Sequence, residues 1–308
     1  MSLALVFPGQ GSQSVGMMNG FTDDPVVQET FSEARAISGV DYWQMAESGP
    51  AETLNQTVNT QPLMLVAGVA CWRAWRERGG AMPSWLAGHS LGEYTALVAA
   101  EALTFEDALP LVRERAQAMQ AAVPEGTGGI AALLGLDEGK LQAVLDAAAQ
   151  GEVVEAANLN SPGQVVIAGH RSAVERAMAL AKEQGAKRAV MLPMSAPSHC
   201  SLMRPAAERL RLRLDAVEIR TPVVPVVQNR FAEAFDDVAR IREALVEQLD
   251  HPVRWIETVQ SLAARGVTRI VECGPGKVLT GLSKRIAGDV DCIAVQDSPS
   301  LAAAVGRA

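Results

Sequence analysis

Ala87-Gly88-His89-Ser90-Leu91-Gly92-Glu93 decides how this chain is read. An apolar run, Ser84-Trp85-Leu86-Ala87, leads into it, and a helix-forming run, Tyr94 to Ala100, leads away. A G-x-S-x-G pattern between a strand and a helix makes a tight, strained turn that lifts a serine hydroxyl clear of both elements. The same turn sets that hydroxyl at a helix N-terminus, where the peptide dipoles favour negative charge. Ser90 is therefore the candidate nucleophile, and the stretch predicts one strand-turn-helix unit of an α/β fold. The competing reading is a strand-to-helix turn in which Gly88 and Gly92 serve packing alone.

Toward the N-terminus, Leu3 to Phe7 reads as a short buried strand running into Pro8-Gly9-Gln10-Gly11-Ser12-Gln13-Ser14-Val15-Gly16. The loop fails as a dinucleotide fingerprint, which needs glycine at position 14, and as a P-loop, which needs lysine where Met17 stands. It can still bring backbone N–H groups close to something negative. Phe21 to Ile37 reads as helical. After the polar stretch Ser48–Thr60 and Gln61-Pro62, an uncharged run predicts a buried central helix from Leu63 to Arg78. Beyond the serine, Thr104 caps a helix that carries Arg113 and Arg115, a setting in which arginines are ordinarily solvated.

From Gly128 the order of elements becomes informative. Ile130–Leu134 reads as a strand, Glu138–Ala149 as a helix and Val153–Ala157 as a strand; a turn at Asn158–Gly163 follows. Gln164–Ala168 is then a strand, Arg171–Gln184 a helix and Lys187–Leu192 a strand. This β-α-β-β-α-β order predicts a ferredoxin-like small domain, residues 126–193, inserted into a large catalytic α/β domain of residues 1–125 and 194–308. Strands alternating with helices in the outer segments make the large domain α/β-hydrolase-like with a mainly parallel sheet. A small domain so placed can form one wall of a cleft.

His199, at a loop-to-helix junction after Ala196-Pro197-Ser198, is the best candidate for a general base. His89 flanks Ser90 in sequence and is expected to point away from its hydroxyl. Val223–Val227, interrupted by Pro225, reads as an edge-like strand. Helices are expected at Val238–Leu249 and Trp255–Ala264, with a last apolar strand at Thr268–Glu272. Gly274-Pro275-Gly276-Lys277 fits either a phosphate loop or a plain β-to-α turn. A serine nucleophile also needs donors for the oxyanion. The N–H of Leu91, next after the nucleophile, is placed for one of them. Several acids lie between Ser90 and His199, so sequence order permits a Ser-Asp/Glu-His triad.

Composition narrows the classes. The 308 residues are 48% apolar and 20% charged, with 27 basic against 35 acidic residues and a net charge of −8. Without a basic run, nucleic acid is not an expected partner. No apolar stretch has the length of a membrane span. The N-terminus lacks the basic region and cleavage site of a signal peptide. Cys71, Cys200, Cys273 and Cys292 are scattered, so neither a zinc site nor a disulfide framework is expected, and the chain reads as cytoplasmic.

Several of these stretches together resemble one family, the malonyl-CoA:acyl carrier protein transacylases of type II fatty acid synthesis. They are Phe7–Gln13, Gly88–Tyr94, the arginine of Val112-Arg113-Glu114-Arg115, and Asn158-Leu159-Asn160-Ser161-Pro162-Gly163-Gln164. Ala196–His199, Gln248-Leu249 with Pro252 and Trp255, and Gly274–Leu279 complete the set, in the family's order along essentially the whole chain. One departure is Ala116, where the family commonly has glycine after its arginine.

The resemblance implies that Ser90 carries malonyl as an ester, with His199 as base and then acid. It implies an oxyanion hole from the N–H groups of Gln10 and Leu91, and a histidine oriented by a backbone carbonyl near Gln248. Arg115 would hold the free carboxylate of malonate through two parallel donors, with Asn160 also binding substrate. Malonyl-CoA and an acyl carrier protein would be the partners, the coenzyme A thioester a substrate, and no metal or bound cofactor is implied. A monomer is expected. Lys187, Arg188, Arg204, Lys277, Lys284 and Arg285 are candidates for docking the acidic carrier. Rival readings are the malonyl transferase of a malonate decarboxylase or polyketide pathway, a serine thioesterase, and a silent acyl-carrier-binding protein.

Overall fold

Leu3–Phe7 forms β1 with all five residues buried, because parallel strands flank it on both sides and leave it no wet face. The computed structural model describes residues 2–194 and 196–307. After β1 come α1 (Pro25–Ser38), α2 (Tyr42–Ser48), α3 (Ala51–Leu54) and α4 (Thr57–Glu77). β2 (Trp85–Gly88), α5 (Gly92–Ala99) and α6 (Phe105–Ala121) follow. The next segment holds β3 (Gly128–Leu134), α7 (Glu138–Ala149), β4 (Val154–Ser161), β5 (Gln164–His170), α8 (Arg171–Glu183) and β6 (Arg188–Met191). The chain then adds α9 (Arg204–Asp215), β7 (Val226–Gln228), β8 (Glu233–Ala234), α10 (Val238–Glu247) and α11 (Trp255–Ala264). It closes with β9 (Arg269–Cys273), α12 (Val278–Ile286), β10 (Asp291–Val295) and α13 (Ser298–Val305).

Two sheets result. The six-stranded one runs β10-β9-β1-β2-β7-β8, parallel throughout except where the two-residue β8 turns back on β7. The four-stranded one runs β4-β5-β3-β6, all antiparallel, with α7 and α8 sharing its core. This is the strand order of the ferredoxin-like unit, and the architecture is the α/β one expected. The backbone ties β4 of the smaller sheet to the segment between α10 and α11: Leu159 N–H donates to the Val253 carbonyl at 2.9 Å, and Val253 N–H donates to the Ala157 carbonyl at 2.9 Å. The Glu155 carboxylate adds bonds from the N–H and hydroxyl of Ser201.

Four differences from the sequence expectation have physical reasons. The central helix α4 starts at Thr57, not Leu63, and Pro62 lies inside it. Proline's φ suits a helix and its missing N–H costs a single bond, while the Thr60 hydroxyl secures the first turn on the carbonyls of Leu54 and Gln56. Strand β4 runs on through Asn158 and Asn160 to Ser161, because pairing with β5 absorbs two register shifts there; only Pro162-Gly163 makes the turn. β7 is not the sheet edge, since β8 lies outside it; Pro225 precedes the strand, and its carbonyl accepts from Leu86 N–H. Finally, β10 and α13 follow the strand expected to be last; β10 is the edge of the larger sheet, with only Cys292 and Val295 of its five residues buried, so it carries a weaker burial signal than β9.

The turn after β2 crosses directly over the end of β1. A Cβ on Gly92 would lie 2.0 Å from the Phe7 carbonyl oxygen, and one on Gly88 would lie 1.9 Å from the Gly92 carbonyl. Backbone stands against backbone here, so nothing can give. Gly92→Ala is accordingly expected to lose more than about 3 kcal/mol of stability in chemical denaturation. A melting curve like that of the parent would mean that β1 and the turn are not held in this contact.

Candidate active site

Ser90 sits at φ 52°, in the left-handed region that costs a non-glycine residue on the order of 1–3 kcal/mol. Asn229 holds it there. Its Oδ1 accepts from Ser90 N–H at 2.6 Å, and its Nδ2 donates to the Gly88 carbonyl at 2.6 Å, so one amide spans the turn. Ser90 Oγ then lies 2.7 Å from His199 Nε2. His199 is also left-handed, at φ 63°, with its N–H bonded to the Leu249 carbonyl. His199 Nδ1 lies 2.7 Å from the Gln248 carbonyl, which can only accept. The proton therefore belongs on Nδ1, and Nε2 is the acceptor that faces the serine hydroxyl.

A backbone carbonyl thus orients the histidine, and no carboxylate contacts it among the described residues. Burial, and after it the Arg115 guanidinium, push His199 down to about 3. The ring is neutral at physiological pH and ready to accept a proton.

Arg115 departs from the ordinary fate of a helix arginine, being only 1% exposed. α6 turns it inward, where Nη1 donates to Gln61 Oε1 and Nη2 donates to Gln248 Oε1 at 2.8 Å and to Ser90 Oγ at 3.3 Å. Its charge stands 5.4 Å from the centre of the Tyr94 ring. Among the described residues no carboxylate forms an ion pair with it, and its Nε has no partner. A buried guanidinium without a counter-charge is costly unless a ligand brings one.

Gln10 and Leu91 both line the cleft of about 980 Å³ that opens over Ser90. The glycine-rich loop rests on the turn: a Cβ on Gly9 would fall 2.3 Å from the His89 carbonyl and 3.6 Å from Leu91 N. The N–H groups of Gln10 and Leu91 donate to no other described residue. The opposite wall comes from the four-stranded sheet, through Ile130, Ala132, Asn158, Asn160 and Val166. Asn160 is spoken for in this state, its Oδ1 accepting at 2.8 Å from His89 Nε2. His89 accordingly points away from the nucleophile, and burial holds it neutral.

Four residues escaped the sequence reading. Asn229 lies 139 positions from the serine it clamps, and Gln61 appeared to lie in a linker before a proline. Glu93 reads as an ordinary first-turn acid yet is fully buried. Its Oε2 accepts from Asn229 N–H at 2.7 Å and Gln248 Nε2 at 3.0 Å, and burial pushes its carboxyl up to about 7. Glu272 settles the loop at Gly274–Lys277, because its carboxylate accepts from the N–H groups of Leu279 and Thr280. The N-terminus of α12 is thereby occupied from within, and the plain β-to-α turn is the reading that holds.

Residues 4–298 match the family described as the acyl transferase domain. The chain belongs to that family. Among its relatives, the malonyl CoA-acyl carrier protein transacylase of Salmonella typhimurium is 52% identical over 303 residues, covering 98% of each chain. The acyl-carrier-protein S-malonyltransferase of Burkholderia pseudomallei 1710b superposes with a TM-score of 0.97 at 56% identity, covering 99% of this chain and 100% of that one. A malonyl-transacylase solved in complex with its type II PKS acyl-carrier protein superposes with a TM-score of 0.98 at 49% identity, covering all of both chains. Across this acyl transferase chain, no helix among the described residues is long and apolar enough to cross a membrane.

The ring state of His199 is directly measurable. Nitrogen-15 NMR of the free protein at pH 5 should record a neutral imidazole with its proton on Nδ1, since the group is held down to about 3. A charged ring at that pH would contradict the assignment.

Proposed function

We infer that this acyl transferase moves malonyl from malonyl-CoA to the phosphopantetheine thiol of an acyl carrier protein, supplying fatty acid synthesis. One observation carries the choice of acyl group: the buried Arg115 guanidinium, which forms no ion pair among the described residues, stands 3.3 Å from the nucleophilic oxygen. A malonyl group bonded to Ser90 places its free carboxylate within reach of that cation, and an acetyl group leaves the cation unpaired. The names of the relatives at about half identity over the whole chain agree with this substrate.

The chemistry follows from the geometry. His199 Nε2 takes the Ser90 proton as Oγ attacks the thioester carbon. The oxyanion forms against the N–H groups of Gln10 and Leu91, and the proton held on His199 passes to the departing coenzyme A sulfur. The carrier thiol then enters the same cleft, gives its proton to His199 and attacks the ester; the proton returns to Ser90 as the bond to Oγ breaks. The Gln248 carbonyl stabilises the imidazolium in both halves through Nδ1.

The scheme draws on side chains, N–H groups and the Gln248 carbonyl and calls on no metal or bound cofactor, and a monomer is the state we propose. The four cysteines are free and buried, in keeping with the cytoplasm. For carrier docking, Lys277, Lys284 and Arg285 have the best claim. All three are exposed on or beside α12, whose Val278, Leu279 and Leu282 line the cleft.

Intact mass after mixing with malonyl-CoA or acetyl-CoA tests the reading. A malonyl adduct that disappears in Ser90→Ala is expected, with little acetyl adduct. Coenzyme A release without an adduct would mean hydrolysis instead, and no reaction would mean a silent binding protein. Arg115→Ala should weaken malonyl binding by about 2–5 kcal/mol, because it leaves the substrate carboxylate buried and unpaired, and should affect acetyl transfer far less. Full malonyl preference in that variant would remove Arg115 from its role.

A further inference from the structure

Beyond the residues that touch substrate, one buried acid ties the site together. Glu93 sits in the first turn of α5, three residues after the nucleophile, with none of its surface exposed. Oε2 takes the backbone N–H of Asn229, the residue whose side chain clamps Ser90 N–H and the Gly88 carbonyl. Oε2 also takes Gln248 Nε2, and that same Nε2 donates to the Ser90 carbonyl at 3.0 Å. The other end of the Gln248 side chain accepts from Arg115 Nη2, and its backbone carbonyl orients His199. One carboxylate oxygen therefore meets both the support of the serine turn and the residue that aims the base and the arginine. The charged and titratable groups around it are Arg115 and Tyr94, with His199 one residue further away beyond Gln248.

We propose that Glu93 is a positioning residue for acyl transfer, fixing the serine turn against the Gln248 support of His199 and Arg115 through Asn229 and Gln248. It touches no substrate atom. Its contribution is alignment: Ser90 in the turn before α5, Arg115 on α6 and His199 in the loop before α9 have to converge on one ester. Without the shared oxygen, Gln248 Nε2 keeps only the Ser90 carbonyl, and the Gln248 amide is free to turn, releasing Arg115 Nη2. Errors of about 1 Å in such alignment are worth about 10²-fold in rate. Packing alone does not account for the acid, because an apolar side chain in a buried first turn would avoid the desolvation that Glu93 bears; its Oε1 has no partner among the described residues.

This inference rests on the acyl-transfer reading, so the parent protein serves as the reference. If the parent is not malonylated at Ser90, it is that reading that fails. Given a malonylated parent, single-turnover malonylation and acetylation would be timed for Glu93→Leu and Glu93→Asp. Rates are expressed per folded molecule, with the folded fraction counted by circular dichroism. Glu93→Leu removes the accepting oxygen at similar volume and Glu93→Asp withdraws it by one methylene, so either variant reports if the other does not fold. The expected result is malonylation slowed about 10²-fold per folded molecule, together with a reduced malonyl-over-acetyl preference as Arg115 loses its aim. A residue that served packing alone would lower the folded fraction and leave both readouts unchanged. Rates within about threefold of the parent with unchanged preference would overturn the proposal.

Discussion

Everything at the site depends on the backbone contact between β1 and the serine turn. The close approach of Gly92 to the Phe7 carbonyl brings the end of the first strand under the nucleophile, and the glycine-rich loop that leaves β1 must then lie across it. Gln10 and Leu91, 81 residues apart in sequence, come to line one cavity because two strands are neighbours in one sheet. The strain at Ser90 belongs to the same constraint. A left-handed serine persists because Asn229 and the packed glycines leave the chain no cheaper path.

Charge at the site is left without a direct ion pair among the described residues. A carboxylate beside His199 would raise the basicity of the ring, but it would also put a negative group close to the Arg115 guanidinium, which lies 3.3 Å from the same serine oxygen. A peptide carbonyl supplies orientation and a partial negative charge only. The nearest buried acid, Glu93, reaches Arg115 through the Gln248 amide and not directly, so the guanidinium is held by neutral amides and no carboxylate bonds to it among the described residues. The site is accordingly cationic at its floor and neutral at its base.

Much of this was legible in the sequence because the information is local there. The serine turn, the small domain's β-α-β-β-α-β order and the Thr104 cap are each written within a few consecutive residues. Ser90, Leu91 and His199 are read from the serine turn and the loop-to-helix junction, whereas Arg115, Gln248 and Gln10 enter through a resemblance that ties distant stretches together; the fold brings five of these to one cleft and sets Gln248 behind it on Arg115. What escaped has a common cause. Asn229, Gln61, Glu93 and Glu272 work through partners that become neighbours only after folding, and none has a side chain whose type announces its burial. Pro62 and the asparagines of β4 misled for a related reason: local propensity argued for a turn, and pairing or packing with distant segments prevailed.

The joint between β4 and the segment after α10 carries a consequence for how such a cleft diversifies. It consists of main-chain hydrogen bonds between Ala157, Leu159 and Val253, and a hydrogen bond from a peptide N–H to a carbonyl is indifferent to the side chains at either end. The gap is thereby uncoupled from the residues that line it. A lineage can exchange Ala132, Val166 or Leu282 for larger or smaller neighbours and alter which acyl chain is admitted, while the distance between nucleophile and opposing wall stays as the backbone set it. Selection for new substrates can then act on one lining position at a time, without first having to repair the machinery beneath.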